Sequence, residues 1–216
     1  MKRTLLAAAL AATAVGSANA AAISGLKNTG TGAAGTPDSN YHLSAASSDT
    51  AISATVPTIT IDNQWPINLW LANSDTSKWI TPTASQSQSF DAWSAGTYTY
   101  TLNFDLSGYN AATAAFTGRL AADNSVVVKL NNQVISSASG FTDWSAFSAN
   151  SGFVSGINQL DFVVSNWAQN GGNPTGLRVE FLSSGIAAAV PEPETYAMLL
   201  SGLAILGYAA RRRKRA

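Results

Sequence analysis

Residues 97–109 read TYTYTLNFDLSGY. Tyr98, Tyr100, Leu102, Phe104 and Leu106 fall on one side of an extended chain, and Thr97, Thr99, Thr101, Asn103 and Asp105 on the other. Period two over ten residues predicts a half-buried antiparallel strand with its Thr side outward. Shorter stretches repeat the signal. Thr58-Ile59-Thr60-Ile61 alternates. Phe116 to Ala122 predicts a strand ended by Asp123-Asn124-Ser125, and Val126 to Leu130 predicts another. Asn131-Asn132 predicts a tight hairpin turn with Val134-Ile135 returning, because Asn tolerates the positive φ such turns demand. Leu160 to Ser165 follows, then Leu177 to Phe181, which sets Leu177, Val179 and Phe181 opposite Arg178 and Glu180.

Many short strands, Gly/Asn/Asp turns and no helical period predict an all-β protein, an antiparallel β-sandwich or jelly roll over residues 23–186. Residues 21–58 are rich in Ser, Thr, Ala and Gly and would serve as a linker by composition. Leu26, Tyr41, Leu43, Ile52 and Val56 give that stretch something to bury, so it reads as the loop-rich start of the domain.

Both termini break the pattern. Lys2 and Arg3, the apolar run Leu5 to Val15, and Ala18-Asn19-Ala20 have the order of a signal peptide. Residues 1–20 are expected to direct export, with signal peptidase cutting after Ala20 and Ala18 as the second small residue. At the other end, Pro191-Glu192-Pro193 is an extended, helix-resistant element. Thr195 to Ala210 carries no charge, and Arg211, Arg212, Arg213, Lys214 and Arg215 follow without a break. A helix over that uncharged run spans roughly 24 Å, short of a hydrocarbon core of about 30 Å, but arginine stems snorkel and bilayers thin. One C-terminal transmembrane helix is therefore expected, with the basic block on the cytoplasmic side. The alternative is a buried C-terminal helix with a solvated end, for which five consecutive cations have no packing purpose.

The tail VPEPETYAMLLSGLAILGYAARRRKRA resembles a PEP-CTERM sorting signal of Gram-negative, exopolysaccharide-producing bacteria. The resemblance covers residues 190–215 and all three parts: V-P-E-P, apolar run and Arg-rich end. It implies that an exosortase, a membrane cysteine transpeptidase, processes the chain near Pro191-Glu192-Pro193. The inner-membrane anchor would then be lost and the protein would reach the cell surface or extracellular matrix. In the body, AADNSVVVKLNNQVI, GFVSGINQLDFVVSN and PTGLRVEF resemble a jelly-roll module of exported PEP-CTERM proteins, itself similar to galactose-binding-like sandwiches. That implies a fold and leaves the ligand open.

Charge narrows the partners. The whole chain is neutral, with 12 basic and 12 acidic residues. Between residues 21 and 190 the basic residues are Lys27, Lys78, Arg119, Lys129 and Arg178, against nine Asp and Glu180, so the body carries 5 − 10 = −5. A scattered, acidic balance argues against nucleic acid and anionic lipid. There is no cysteine and one histidine, so neither disulfides nor the usual zinc sites are available.

Catalytic chemistry finds little support. His42 lies in a Ser-rich stretch, no G-x-S-x-G occurs, and it reads as a loop or edge residue. A glycosidase needs two carboxylates flanking a bond, and most of the acids here sit at turns. The expectation is a non-enzyme without a cofactor. Structural calcium is the one metal considered, with oxygen ligands from Asp123, Asn124, Asp143, Asp161 and Glu180. No EF-hand spacing supports it, and solvated turn residues are the commoner reading. Of the six tryptophans, Trp144 and Trp167 sit in polar stretches, GFTDWSAFS and SNWAQNGGNP, and are the candidates for stacking on sugar rings. Together these features point to an exported structural or adhesive protein of an exopolysaccharide or biofilm matrix. The alternative is a carbohydrate-binding module, and a glycan-active enzyme ranks last.

Overall fold

The computed structural model describes residues 20–189 and 193–213. Its strands are β1 (His42–Ala46), β2 (Thr58–Ile59), β3 (Ile80–Thr81), β4 (Gly96–Asp105), β5 (Tyr109–Leu130), β6 (Gln133–Ala149), β7 (Ile157–Asn166) and β8 (Gly176–Ala188), followed by helix α1 (Pro193–Arg213). Every pairing between these strands is antiparallel.

The long β5–β6 hairpin turns one curled sheet into two layers. The first part of β5, through Asp123, pairs with β8, while Ser125 to Leu130 pairs with β7. β6 follows β5 through both parts. One layer thus runs β1-β4-β7-β5-β6, and the other runs β6-β5-β8-β3-β2. The inner faces meet in an aromatic core. Phe116 of β5 contacts Phe147, Phe153 and Phe181 edge-on at 5.6 to 5.8 Å between centroids. Phe147 of one layer meets Phe162 of the other at 5.7 Å.

β4 behaves as its alternation demands. Tyr98, Tyr100, Leu102, Phe104 and Leu106 are all buried, and Thr97, Asn103 and Asp105 are exposed. The Asn131-Asn132 turn joins β5 to β6 with both residues at positive φ, 48° and 67°, as a two-residue hairpin of the primed type requires. In the 21–58 stretch Tyr41 and Leu43 are buried, Leu26 and Ile52 are partly covered, and Val56 is exposed.

Two expectations are corrected. First, Asp123-Asn124-Ser125 does not end a strand, because β5 continues through it for 22 residues in all. These residues direct their polar groups to neighbours instead of to a local turn. The Asp123 carboxylate accepts from the Trp70 indole, its carbonyl accepts from the Thr175 hydroxyl, and the Asn124 amide oxygen accepts from the Trp167 N–H. Register shifts between Leu120 and Ser125 take up the extra residues and bend the strand between the layers. Second, Val134-Ile135 begins a strand of 17 residues, which absorbs GFTDWSAFS. Trp144 is therefore a strand residue. The expected transmembrane span is not shown: among the described residues no helix is long and apolar enough to cross a membrane. α1 has 21 residues, but Glu194, Ser201, Gly202, Gly207, Tyr208 and three arginines dilute its apolar run.

Candidate functional site

The tail is the first candidate. α1 begins at Pro193, two residues before the uncharged run, since proline is tolerated in the first helical turn. Arg211, Arg212 and Arg213 occupy its last turn, where cations meet the negative end of the helix dipole. Every described side chain from 197 to 213 is exposed, including Met198, Leu199, Leu203, Ile205 and Leu206. The body therefore leaves the apolar surface of this helix uncovered. Pro191, Glu192, Lys214, Arg215 and Ala18 lie outside the described residues. Ala20, the other small residue of the proposed cleavage signal, is exposed.

The tryptophans divide by environment. Trp70 and Trp79 are buried with ring centroids 4.4 Å apart. Trp144 is half-buried, and its ring lies beside two guanidiniums, Arg119 at 4.5 Å and Arg178 at 4.7 Å. Trp167 is 56% exposed in the loop after β7, as expected. Trp93 is 79% exposed. Sequence reasoning passed over Trp93, although its setting, DAWSAG just ahead of a strand, carries the same turn-residue signal that marked Trp167.

The outer face of β8 holds a polar cluster where a sandwich would ordinarily meet water. Arg178 and Glu180 are both 2% exposed. Residues 71–79 cover them and take up their hydrogen bonds. Arg178 donates to the Ser77 and Ser74 hydroxyls and to the carbonyls of Leu71 and Ala72. Glu180 accepts from Ser77 at 2.8 Å and from Arg119 at 2.7 Å, and lies 3.4 Å from Arg178. Burial lowers the Arg178 pKa, an effect that Glu180 opposes. The arrangement fastens a long loop to the sheet.

The considered calcium ligands do not gather. Asp123 holds Trp70, Asp143 is exposed beside Thr142, and Asp161 accepts from Thr101 and Gln159. Glu180 belongs to the arginine cluster. Among the described residues no three His, Cys, Asp or Glu side chains come together as metal ligands. His42 is an exposed residue of β1, whose strand partner among the described residues is β4. Burial pushes the Asp123 carboxyl up to about 7, against the opposing hydrogen bond from Trp70. Asp49 is held down at about 2 by the backbone N–H groups of Ala92 and Asp91.

Three surface clefts are shallow and poor in acid–base groups. One of about 490 Å³ between residues 22–31 and the middle of β8 has Lys27 as its titratable side chain. A second, of about 390 Å³ beside Phe116 and Ala149, has none. A third, of about 480 Å³ beside Trp70, has Asp62. None of the three presents paired carboxylates.

Comparison with known proteins agrees on the tail. Residues 189–214 match the family described as the PEP-CTERM protein-sorting motif. That motif implies an exported, surface-sorted protein with exosortase as its processing partner. No curated protein matches the chain. Among solved structures, a β-glucosidase from Kluyveromyces marxianus aligns at 10% identity over 80% of this chain and 20% of that one, with a TM-score of 0.36. The PA14 sugar-binding domain of an RTX adhesin aligns at 14% identity over 44% of this chain and 56% of that one, with a TM-score of 0.26. A family 35 carbohydrate-binding module from an environmental isolate aligns at 14% identity over 68% of this chain and 99% of that one, with a TM-score of 0.30. The chain thus spans a fifth of the β-glucosidase and about half of the PA14 domain. The sandwich architecture described above rests on the strand pairing itself.

Proposed function

We propose that this protein is exported through its N-terminal signal, held at the inner membrane by its C-terminal helix, and released there by exosortase to the cell surface or extracellular matrix. The body, residues 23–186, then works as a non-enzymatic structural or adhesive element in an exopolysaccharide or biofilm matrix. One observation carries the sorting part: the matched motif coincides with a helix whose apolar side chains the β-sandwich leaves uncovered. An uncovered apolar helix requires another partner, and lipid is the one a sorting segment meets during export. Its apolar run is short for a bilayer, so Arg211 to Arg215 snorkel and the membrane thins around it. A short, weakly held anchor suits a segment that is to be removed.

Within this scheme signal peptidase acts after Ala20. Exosortase recognises Pro191-Glu192-Pro193, which the membrane-held helix keeps near the outer face of the inner membrane. The test separates export from processing. Changing Pro191, Glu192 and Pro193 to alanine should leave export intact and trap the protein in the membrane fraction at its unprocessed mass. Deleting residues 211–215 should instead let the helix slip or translocate. A triple-alanine variant released to the surface at the wild-type rate would overturn the scheme.

A further inference from the structure

Trp93 and Trp167 stand on two loops that the fold locks together. Both loops leave the same end of one layer, where Gly96 of β4 pairs with Asn166 of β7. Asp91 is the tie between them. It is fully buried and lies at a positive φ of 62°. Its carboxylate accepts from the Tyr98 hydroxyl at 2.7 Å, the Asn166 amide at 2.9 Å, the Ser47 hydroxyl at 2.9 Å and the Ser48 N–H at 2.7 Å. Its carbonyl accepts from the Gln169 N–H at 3.1 Å. Asp49 holds the next two backbone N–H groups, those of Asp91 and Ala92. A side chain at position 96 would run into the Asp91 carboxylate, so glycine is required there.

The Trp167 backbone is pinned as firmly. Its N–H donates to the Asn124 amide oxygen at 2.7 Å, and its carbonyl accepts from Asn173 at 2.8 Å. Asn173 also donates to the Phe90 carbonyl at 2.7 Å, which closes the connection between the loops. Counting Cα steps of about 3.8 Å across the Asp91–Gln169 bond puts the Cα atoms of the two tryptophans at most about 20 Å apart. Two large, exposed indoles on braced backbone give up contacts that a core would supply. In return they present stacking faces whose backbone is already ordered before a ligand arrives.

Charge selects the ligand. Residues 79–118 and 130–177, which contain both loops, hold no Lys or Arg. The side chains that brace them are acids and amides, with Asp91, Asn166 and Asn173 buried, Asn124 half-buried and Asp49 exposed at the surface. Such a surface repels polyanions and anionic lipid headgroups. It suits a neutral, hydroxyl-rich polymer whose rings offer an apolar face to indole and whose hydroxyls can bond to the exposed amides of Gln169 and Asn170 beside Trp167. We propose that Trp93 and Trp167 form a two-point stacking platform for a neutral polysaccharide. This rests on the matrix role proposed above and names the residues that would perform it.

The test is affinity electrophoresis of the full chain, kept in mild detergent, through gels containing xylan, mixed-linked β-glucan or galactomannan, with alginate as the anionic control. At least one neutral polymer should retard the wild type, and alginate should not. Trp93→Ala and Trp167→Ala should each weaken binding roughly tenfold, the size of one lost aromatic contact. Val134→Ala, at an exposed apolar site on β6, should bind as the wild type does. Iodide quenching of wild-type indole fluorescence should fall on saturation, which reports contact without any substitution. No retardation by any of the three neutral polymers would overturn the proposal. So would wild-type binding by both Trp variants, or binding confined to alginate or to a protein partner. A chain that binds glycan but is never cleaved in its host would instead sink the sorting scheme and leave the platform standing.

Discussion

Asp123 should make the protein less stable as pH rises from 4 to 8. Its carboxylate is 5% exposed and has the Trp70 indole as its partner, with 2.9 Å between the atoms. Burial raises its pKa from 3.8 to about 7. A folded pKa above the unfolded one means that the folded state binds the proton more tightly. The contribution is fully present below pH 3.8, where both states are protonated. It is lost as pH rises through 7, where the folded chain must bury a charge that the unfolded chain leaves in water. A shift of roughly 3 units corresponds to about 4 kcal/mol at most, at about 1.4 kcal/mol per unit. Asp123→Asn removes the ionisation and keeps an oxygen for Trp70. Urea unfolding followed by tryptophan fluorescence at pH 4, 5, 6, 7 and 8 would give both stability curves. The difference between variant and wild type should grow steadily with pH in favour of Asn, which cancels the titration of all other carboxylates. Parallel curves would show that Asp123 ionises normally and that the site is wetter than its burial implies.

Other substitutions test the packing. Phe116→Ala should cost about 3–5 kcal/mol in the same unfolding assay, since its ring joins three other phenylalanines between the layers. Arg178→Met should cost about 3–5 kcal/mol, because it leaves two loop carbonyls without their donor and takes one of the two cations from buried Glu180, and adding Glu180→Gln should recover part of that loss. Replacing Asn131 or Asn132 with Ala should cost about 1 kcal/mol, since both hold positive φ. Equal stabilities of variant and wild type would refute each.

The parts of the fold legible in the sequence are those where one local pattern decides. β4 alternates because one of its faces is buried, and the Asn131-Asn132 turn needs positive φ whatever surrounds it. The course of β5 was not legible. Asp123 and Asn124 are turn formers by local preference, but Trp70, Thr175 and Trp167, distant in sequence, take their hydrogen bonds and let the strand continue. The same long-range effect hid the covered outer face of β8. Alternation predicts that Arg178 and Glu180 share a face, and only the loop at 71–79 decides that the face is buried. Trp144 was misplaced because its Ser- and Thr-rich neighbours suit an edge strand as well as a loop. The tail was the most legible segment, since its three parts occur in order within 26 residues and need no tertiary context. Trp93 could have been found by the rule that found Trp167, an aromatic residue among turn formers at a strand end.

The central claim is that the tail is a sorting segment removed on the way to the surface. Intact-mass spectrometry of the surface form from the native host tests it most directly. The account predicts an N-terminus at Ala21 and a C-terminus at or near residues 191–193, with the helix gone. A surface form that still ends at Ala216 would contradict it.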